Sequence, residues 1–188
     1  MANFEYKHRI ADQLLASKLR SAGAVLIQGP KWCGKSTTAI QQAKSNLMLG
    51  NPQTLRDSRT LLSIDSSLIM NGKTPRLFDE WQTIPELWDT IRSEVDTRHE
   101  LGQFILTGSA VPLETTQIQH TGTGRFAWLR MRPMSLWESE ESNGAVSLGE
   151  LFSGLNKKVL GENKHTLQDI AHILCRGGWP ITLSQHPN

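Results

Sequence analysis

The stretch Ala24-Val25-Leu26-Ile27-Gln28-Gly29-Pro30-Lys31-Trp32-Cys33-Gly34-Lys35-Ser36-Thr37-Thr38-Ala39-Ile40-Gln41-Gln42-Ala43-Lys44 decides how this chain folds. Its first five residues form an apolar run of strand length, and Thr37 to Lys44 suit a helix. Between them, residues 29 to 36 satisfy G-x-x-x-x-G-K-[ST], the pattern of a glycine-rich loop between a strand and a helix. Context weighs more than the pattern, because main-chain recognition of phosphate needs strand, tight loop and helix N-terminus in that order. Gly29 and Gly34 let successive N–H groups turn toward phosphate oxygens, and the helix dipole adds partial positive charge. The segment Gly29-Pro30-Lys31-Trp32-Cys33-Gly34-Lys35-Ser36-Thr37 is thus expected to surround the phosphates. Lys35 reaches the β- and γ-phosphates, and the Ser36 hydroxyl ligates magnesium. Trp32 reads as a packing residue, with an adenine contact as the alternative, and Cys33 as a filler of the loop.

The chain has 188 residues, enough for one substantial α/β domain and part of another. Its 20 basic and 18 acidic residues nearly balance, which gives no electrostatic case for nucleic acid or an anionic membrane surface. No apolar run approaches the ~18 to 20 residues of a membrane span. The segment Met1 to Arg9 is polar and lacks the apolar core of a signal peptide. Cys33 and Cys175 make neither a disulfide framework nor a zinc site, and the histidines lack metal-ligand spacing. A reduced, cytoplasmic protein is the expectation.

Outward from the loop, Ile10, Leu14, Leu15 and Leu19 repeat at helical spacing, with Gly23 as a stop. Residues 45 to 60 are polar and hard to read, with Asn51-Pro52 as a turn signal. Leu61 to Asp65 fits either a strand or a short helix. Arg76-Leu77-Phe78-Asp79-Glu80 is a short apolar run closed by two carboxylates. After it, Ile84, Leu87, Trp88, Ile91 and Val95 mark an amphipathic helix with Pro85 near its first turn. Gln103 to Ser109 and Arg125 to Arg130 are further strand candidates. Leu148 to Leu155 and Thr166 to Cys175 read as helices, the second with a Thr166/Asp169 capping box and a Gly177-Gly178 stop. Alternating strands and helices predict a parallel sheet covered on both faces.

Hydrolysis of a bound nucleotide also needs a carboxylate that orders magnesium and a base for water. Asp79 and Glu80 end a candidate strand, where ligands bind in open α/β sheets. Asp79 is expected to hold the metal and Glu80 to accept the proton of the attacking water. Two solvated carboxylates at a strand end are the plainer alternative, and the intact phosphate loop upstream favours the catalytic one. Thr107 and Ser109 end the next strand, where either hydroxyl reaches the γ-phosphate or the lytic water, or simply closes the strand. Arg125, after a glycine-rich stretch, fits either a γ-phosphate arginine or a solvated edge residue.

With these motifs placed, the chain resembles the prokaryotic AAA-type ATPases that carry a C-terminal domain of unknown function. The resemblance rests on the loop at 29–36, the box Asp79-Glu80-Trp81-Gln82 followed by Pro85-Glu86-Leu87, and Phe104-Ile105-Leu106-Thr107-Gly108-Ser109. It continues through Gly124-Arg125, Met131-Arg132-Pro133-Met134-Ser135-Leu136-Trp137-Glu138 and Gly177-Gly178-Trp179-Pro180. It implies a three-layer α/β/α core of AAA type with a five-stranded parallel sheet of order 5-1-4-3-2, and ATP with magnesium as ligands. It supports Thr107 or Ser109 as sensor and Arg125 as a γ-phosphate arginine, in cis or in trans, and makes Gln82 a candidate for positioning water or relaying nucleotide state. The ATPase core is expected at residues 1–137, with an N-terminal helix at 8–22, and a helical segment at 138–188 as the start of a truncated second domain. The usual second-strand region fits poorly at Gly50 to Thr60, which leaves β2 open.

Two functions share this pocket. One is a magnesium-dependent ATPase that drives or gates a partner interaction; the alternative is a slow-turnover, nucleotide-gated interaction or signalling module. The motifs carry no information on the partner, which is expected to be an unidentified protein, or on whether copies of the chain assemble.

Overall fold

Val25 and Ile27 point to one side of an extended chain and Ala24 and Leu26 to the other, and all four are buried. A strand buried on both faces belongs in the middle of a sheet. In the computed structural model, which describes residues 6–108, 122–154 and 160–183, this run is β1 (Ala24–Gln28). It pairs in parallel with β4 (Phe104–Gly108) on one side and β5 (Phe126–Arg130) on the other. Beyond β4 lie β3 (Arg76–Asp79) and then β2 (Ser45–Met48), both parallel. The order β2-β3-β4-β1-β5 is the expected 5-1-4-3-2 read from the opposite edge.

The chain divides into two compact units, Arg9–Arg132 and Met1–His8 with Pro133–Asn188. In the first, one face of the sheet presents Ala24, Leu26, Phe78, Phe104, Leu106 and Phe126 to a continuous core. That core is completed by Ile69 and Met70 of α4 (Ser66–Met70) and by Leu87, Trp88, Ile91 and Val95 of α5 (Leu87–Arg98). Trp88 stacks on Phe126 with ring centroids 4.1 Å apart, so the predicted apolar stripe of α5 is the face that is buried. The other face buries Val25, Ile27, Leu77 and Ile105, on the side of α1 (Ile10–Leu19) and α2 (Lys35–Gln42). α1 buries Ala11, Leu15 and Leu19 and leaves Ile10 and Leu14 exposed, so its buried stripe is rotated from the expected one.

The region hardest to read in sequence resolves into β2 followed at once by α3 (Pro52–Ile64). Asn51-Pro52 starts this helix instead of making a free turn. The Asn51 side chain accepts from the N–H groups of Gln53 at 2.8 Å and Thr54 at 3.2 Å, and Pro52 takes the first helical position, where its missing N–H is no loss. Leu61 to Ile64 is the last turn of α3, which ends the strand-or-helix ambiguity.

The second unit carries α6 (Leu148–Phe152), α7 (Leu167–Arg176) and α8 (Pro180–Leu183). The Thr166/Asp169 capping box forms as expected, and Gly177 ends α7 at φ 68°. Within this unit Met134 donates its N–H to Gly178 O at 2.6 Å. The approach is so close that a Cβ at Gly178 would sit 2.1 Å from Met134 O, which only glycine allows. Arg176 pairs with Glu141 at 2.6 Å, and His165 Nε2 lies 2.7 Å from Glu141 O.

Candidate nucleotide site

Register brings the site together. Gln28 pairs with Gly108, Ile27 with Thr107, Thr107 with Asp79, and Asp79 with Met48, so these strand ends lie level along one edge of the parallel sheet. The loop from Gly29 leaves β1 at that edge and enters α2 through Gly34, which at φ 99° occupies the left-handed region. Gly29 is needed for a different reason: a Cβ there would lie 2.3 Å from Met131 O. Cys33 is buried against Gly29, which agrees with its reading as a loop filler.

Lys35 is only 5% exposed, and its Nζ donates to Gly29 O at 3.0 Å and Pro30 O at 2.8 Å. The ammonium therefore lies against the first carbonyls of its own loop. Ser36, in the first turn of α2, donates its hydroxyl to Asp79 Oδ1. Thr107 donates to the same oxygen at 2.6 Å. One buried carboxylate thus collects two hydroxyls, from the loop–helix junction and from the neighbouring strand. Such an oxygen-only donor set suits a hard divalent cation such as magnesium.

Glu80 follows Asp79 at φ 57°, a left-handed conformation that is unusual for a residue with a side chain. Its carbonyl accepts from Thr83 N–H at 3.1 Å and Thr83 Oγ1 at 2.9 Å, which holds the short 3-10 turn Trp81–Thr83. Gln82 donates its amide to Glu80 Oε2. The other end of that amide, Oε1, is buried and without a hydrogen-bond partner among the described residues. It rests over the Gly108 backbone, where an added Cβ would lie 2.6 Å from it.

Lys35, Ser36, Asp79, Glu80, Gln82 and Thr107 are therefore brought together. Pro30, Lys31 and Thr37 are exposed along the loop and the start of α2. Trp32 corrects an expectation: it is 79% exposed at φ 63°, so it packs into no core. Arg125 is not part of the group. It precedes Phe126, which pairs with Ala24 at the start of β1, so it sits at the opposite edge of the sheet from the loop. There it forms an ion pair with Asp96 at 2.7 Å. The Arg125 hydrogen bond holds the Asp96 carboxyl below its usual range, and Asp96 in turn raises the guanidinium. Ser109 lies outside the described residues.

One residue had no signal in the sequence. Arg9, only 7% exposed, donates from Nη1 to Cys33 O at 2.8 Å and from Nη2 to Arg132 O at 2.9 Å. A lone arginine ahead of a helix says nothing about which distant carbonyls it reaches.

The family described as AAA domain matches residues 21–140 of this chain. Among solved structures, the fold is similar to the Walker-type ATPase PABY2304 of Pyrococcus abyssi, with a TM-score of 0.53 and 16% sequence identity. The match covers 93% of this chain and 65% of that one, so this chain spans under two thirds of that protein's length. No curated protein matches it.

Proposed function

The chain belongs to the AAA domain family, and on that premise we propose that it is a magnesium-dependent ATPase. The observation that carries this reading is the convergence of Ser36 and Thr107 on one oxygen of Asp79, at the strand edge where the phosphate loop begins. Lys35 and the main-chain N–H groups of the loop bind the β- and γ-phosphates. Ser36 and Asp79 would hold magnesium, which when bound would supply positive charge to offset that of the phosphate oxygens. Glu80 takes the proton of a water whose oxygen attacks the γ-phosphorus; the bond to the β–γ bridging oxygen breaks, and ADP leaves with phosphate. Gln82 orients the Glu80 carboxylate, and Thr107 senses the γ-phosphate through Asp79. Lys31, Trp32 and Thr37 line the loop's outer side. The work of turnover goes to gating a protein partner.

One contact favours the slower alternative, a nucleotide-gated interaction module. The Gln82 amide engages one oxygen of the base, which leaves a single oxygen of Glu80 to take a proton. Rate separates the two. A switch turns over less than about once per minute, against the ~1 s⁻¹ at the low end of typical enzymes.

The test is steady-state phosphate release from Mg-ATP, with Glu80→Gln as the comparison. The expected result is turnover in the native chain, none in the variant, and ATP binding in both. Equal turnover in the two removes Glu80 as the base, and absence of nucleotide binding in the native chain removes the proposal.

A further inference from the structure

Arg9 and Lys35 are the buried basic side chains among the described residues, and the mechanism above uses only the second. Burying a guanidinium is unfavourable unless its N–H groups are matched. Arg9 spends two of them on main-chain carbonyls distant in sequence, Cys33 O in the phosphate loop and Arg132 O just after β5. A peptide unit is planar and trans, so its C=O and N–H point in opposite directions. With Cys33 O held toward Arg9, the Gly34 N–H of the same peptide is fixed on the other side, away from the guanidinium. That direction is the one a phosphate loop requires of its last glycine.

The second contact anchors the same loop at its start. Met131 donates its N–H to Gln28 O at 2.7 Å, and its carbonyl closes on Gly29 so tightly that no side chain fits. Arg132 follows directly. Arg9 thus ties the apex of the loop, through Cys33, to the segment that braces its first residue. Arg9 and Arg132 are also the two ends of this compact unit. A lysine in its place carries the charge but lacks the planar fork that reaches two carbonyls at once.

We propose that Arg9 is a positioning residue for the nucleotide: it sets the Cys33–Gly34 peptide of the phosphate loop in its anion-binding direction and couples the loop to the Met131–Arg132 segment. This rests on the nucleotide-binding reading of the loop. Arg9 touches no reacting group in that scheme, so its loss acts on binding and leaves the chemical step nearly alone.

The experiment measures ADP affinity with a fluorescent ADP, together with KM and kcat for Mg-ATP, on the full chain with Arg9→Lys and Arg9→Ala. ADP affinity and KM are expected to worsen about tenfold in Arg9→Lys and further in Arg9→Ala, with kcat within about twofold. Millimolar guanidinium is expected to restore ADP affinity to Arg9→Ala, which a general loss of stability would not allow. Unchanged ADP affinity, or a fall in kcat at unchanged KM, overturns the proposal. Hydrogen exchange on the unaltered chain tests it without a variant. Added ADP is expected to raise protection in residues 29–36 and 128–132 together, and protection confined to the loop overturns the coupling. A native chain that binds no ADP defeats the nucleotide reading itself, whereas a native chain that binds and variants that bind equally defeat only the role of Arg9.

Discussion

Gly108 ends β4 with no side chain, and the Gln82 amide occupies the space that a Cβ would take. The nearest atom in the way is the far end of the flexible Gln82 side chain, which moves aside at little cost, while the buried Trp81 ring, with Nε1 at 3.2 Å, has only to give by a few tenths of an ångström. A displaced Gln82 amide no longer holds its place against Glu80 Oε2. Gly108→Ala is therefore expected to change folding stability by less than about 1 kcal/mol, yet to lower kcat on the order of ten- to a hundredfold, because a misplaced base is costly. Thermal melting and phosphate release on the same preparation check both halves; a melting shift with unchanged kcat would mean that Gln82 does not orient the base. At this scale, legibility followed sequence distance. Lys35, Ser36 and Asp79 were readable because each sits in a local strand–loop or strand–end motif. Trp32 was readable as a loop residue but not as an exposed one, since its φ of 63° is set by the turn and not by its side chain. Arg9 gave no sign, because its partners lie far along the chain.

Among elements, β2 and α3 show how a capping residue is mistaken for a turn. Asn and Pro favour both settings, and only the two hydrogen bonds to the Asn51 side chain distinguish a helix start from a free turn. β2 is an edge strand of four half-buried or exposed residues, so it lacks the apolar signature of β1, β3 and β4. In the second unit, the end of α7 is tied by Arg176 to Glu141, whose carboxyl is held below the usual glutamate range chiefly by the hydrogen bond from that guanidinium. A depressed folded-state value contributes stability above the unfolded-state pKa and loses it as pH falls through the folded-state pKa. The contribution is therefore complete above about pH 4.3 and fades below it. Glu141→Gln is expected to cost about 1–3 kcal/mol near neutral pH. The difference from the native chain should shrink as the pH is taken below 4, read by melting at each pH; a difference that persists undiminished in acid would mean that packing, not charge, holds this contact.

Over the whole molecule, strand order decides which motifs meet. β1, β3 and β4 all end at the same sheet edge, so the loop, Asp79 and Thr107 converge although they are separated by long stretches of chain. The same parallel order sends Arg125 to the far edge. Five strand residues at about 3.3 Å each put it about 16 Å from the loop. Any contact between Arg125 and a γ-phosphate then belongs to a neighbouring copy. If such an arginine completes the site, phosphate release per molecule is expected to rise with protein concentration, and Arg125→Ala to abolish the rise. Specific activity that is flat across concentration would leave Arg125 as the partner of Asp96 alone. By itself the sequence determined the strand segments other than β2, the phosphate loop, the acidic pair and the Thr166/Asp169 helix cap, because each arises from interactions within a few residues. It also suggested the sheet order, through the resemblance of its motifs. Tertiary structure alone decided that Asp79 collects the hydroxyls of Ser36 and Thr107, that Gln82 lies between Glu80 and Gly108, and that Arg9 grips the loop from behind. Those contacts depend on where strand register and loop closure bring distant backbone, and no local pattern of residue types carries that information.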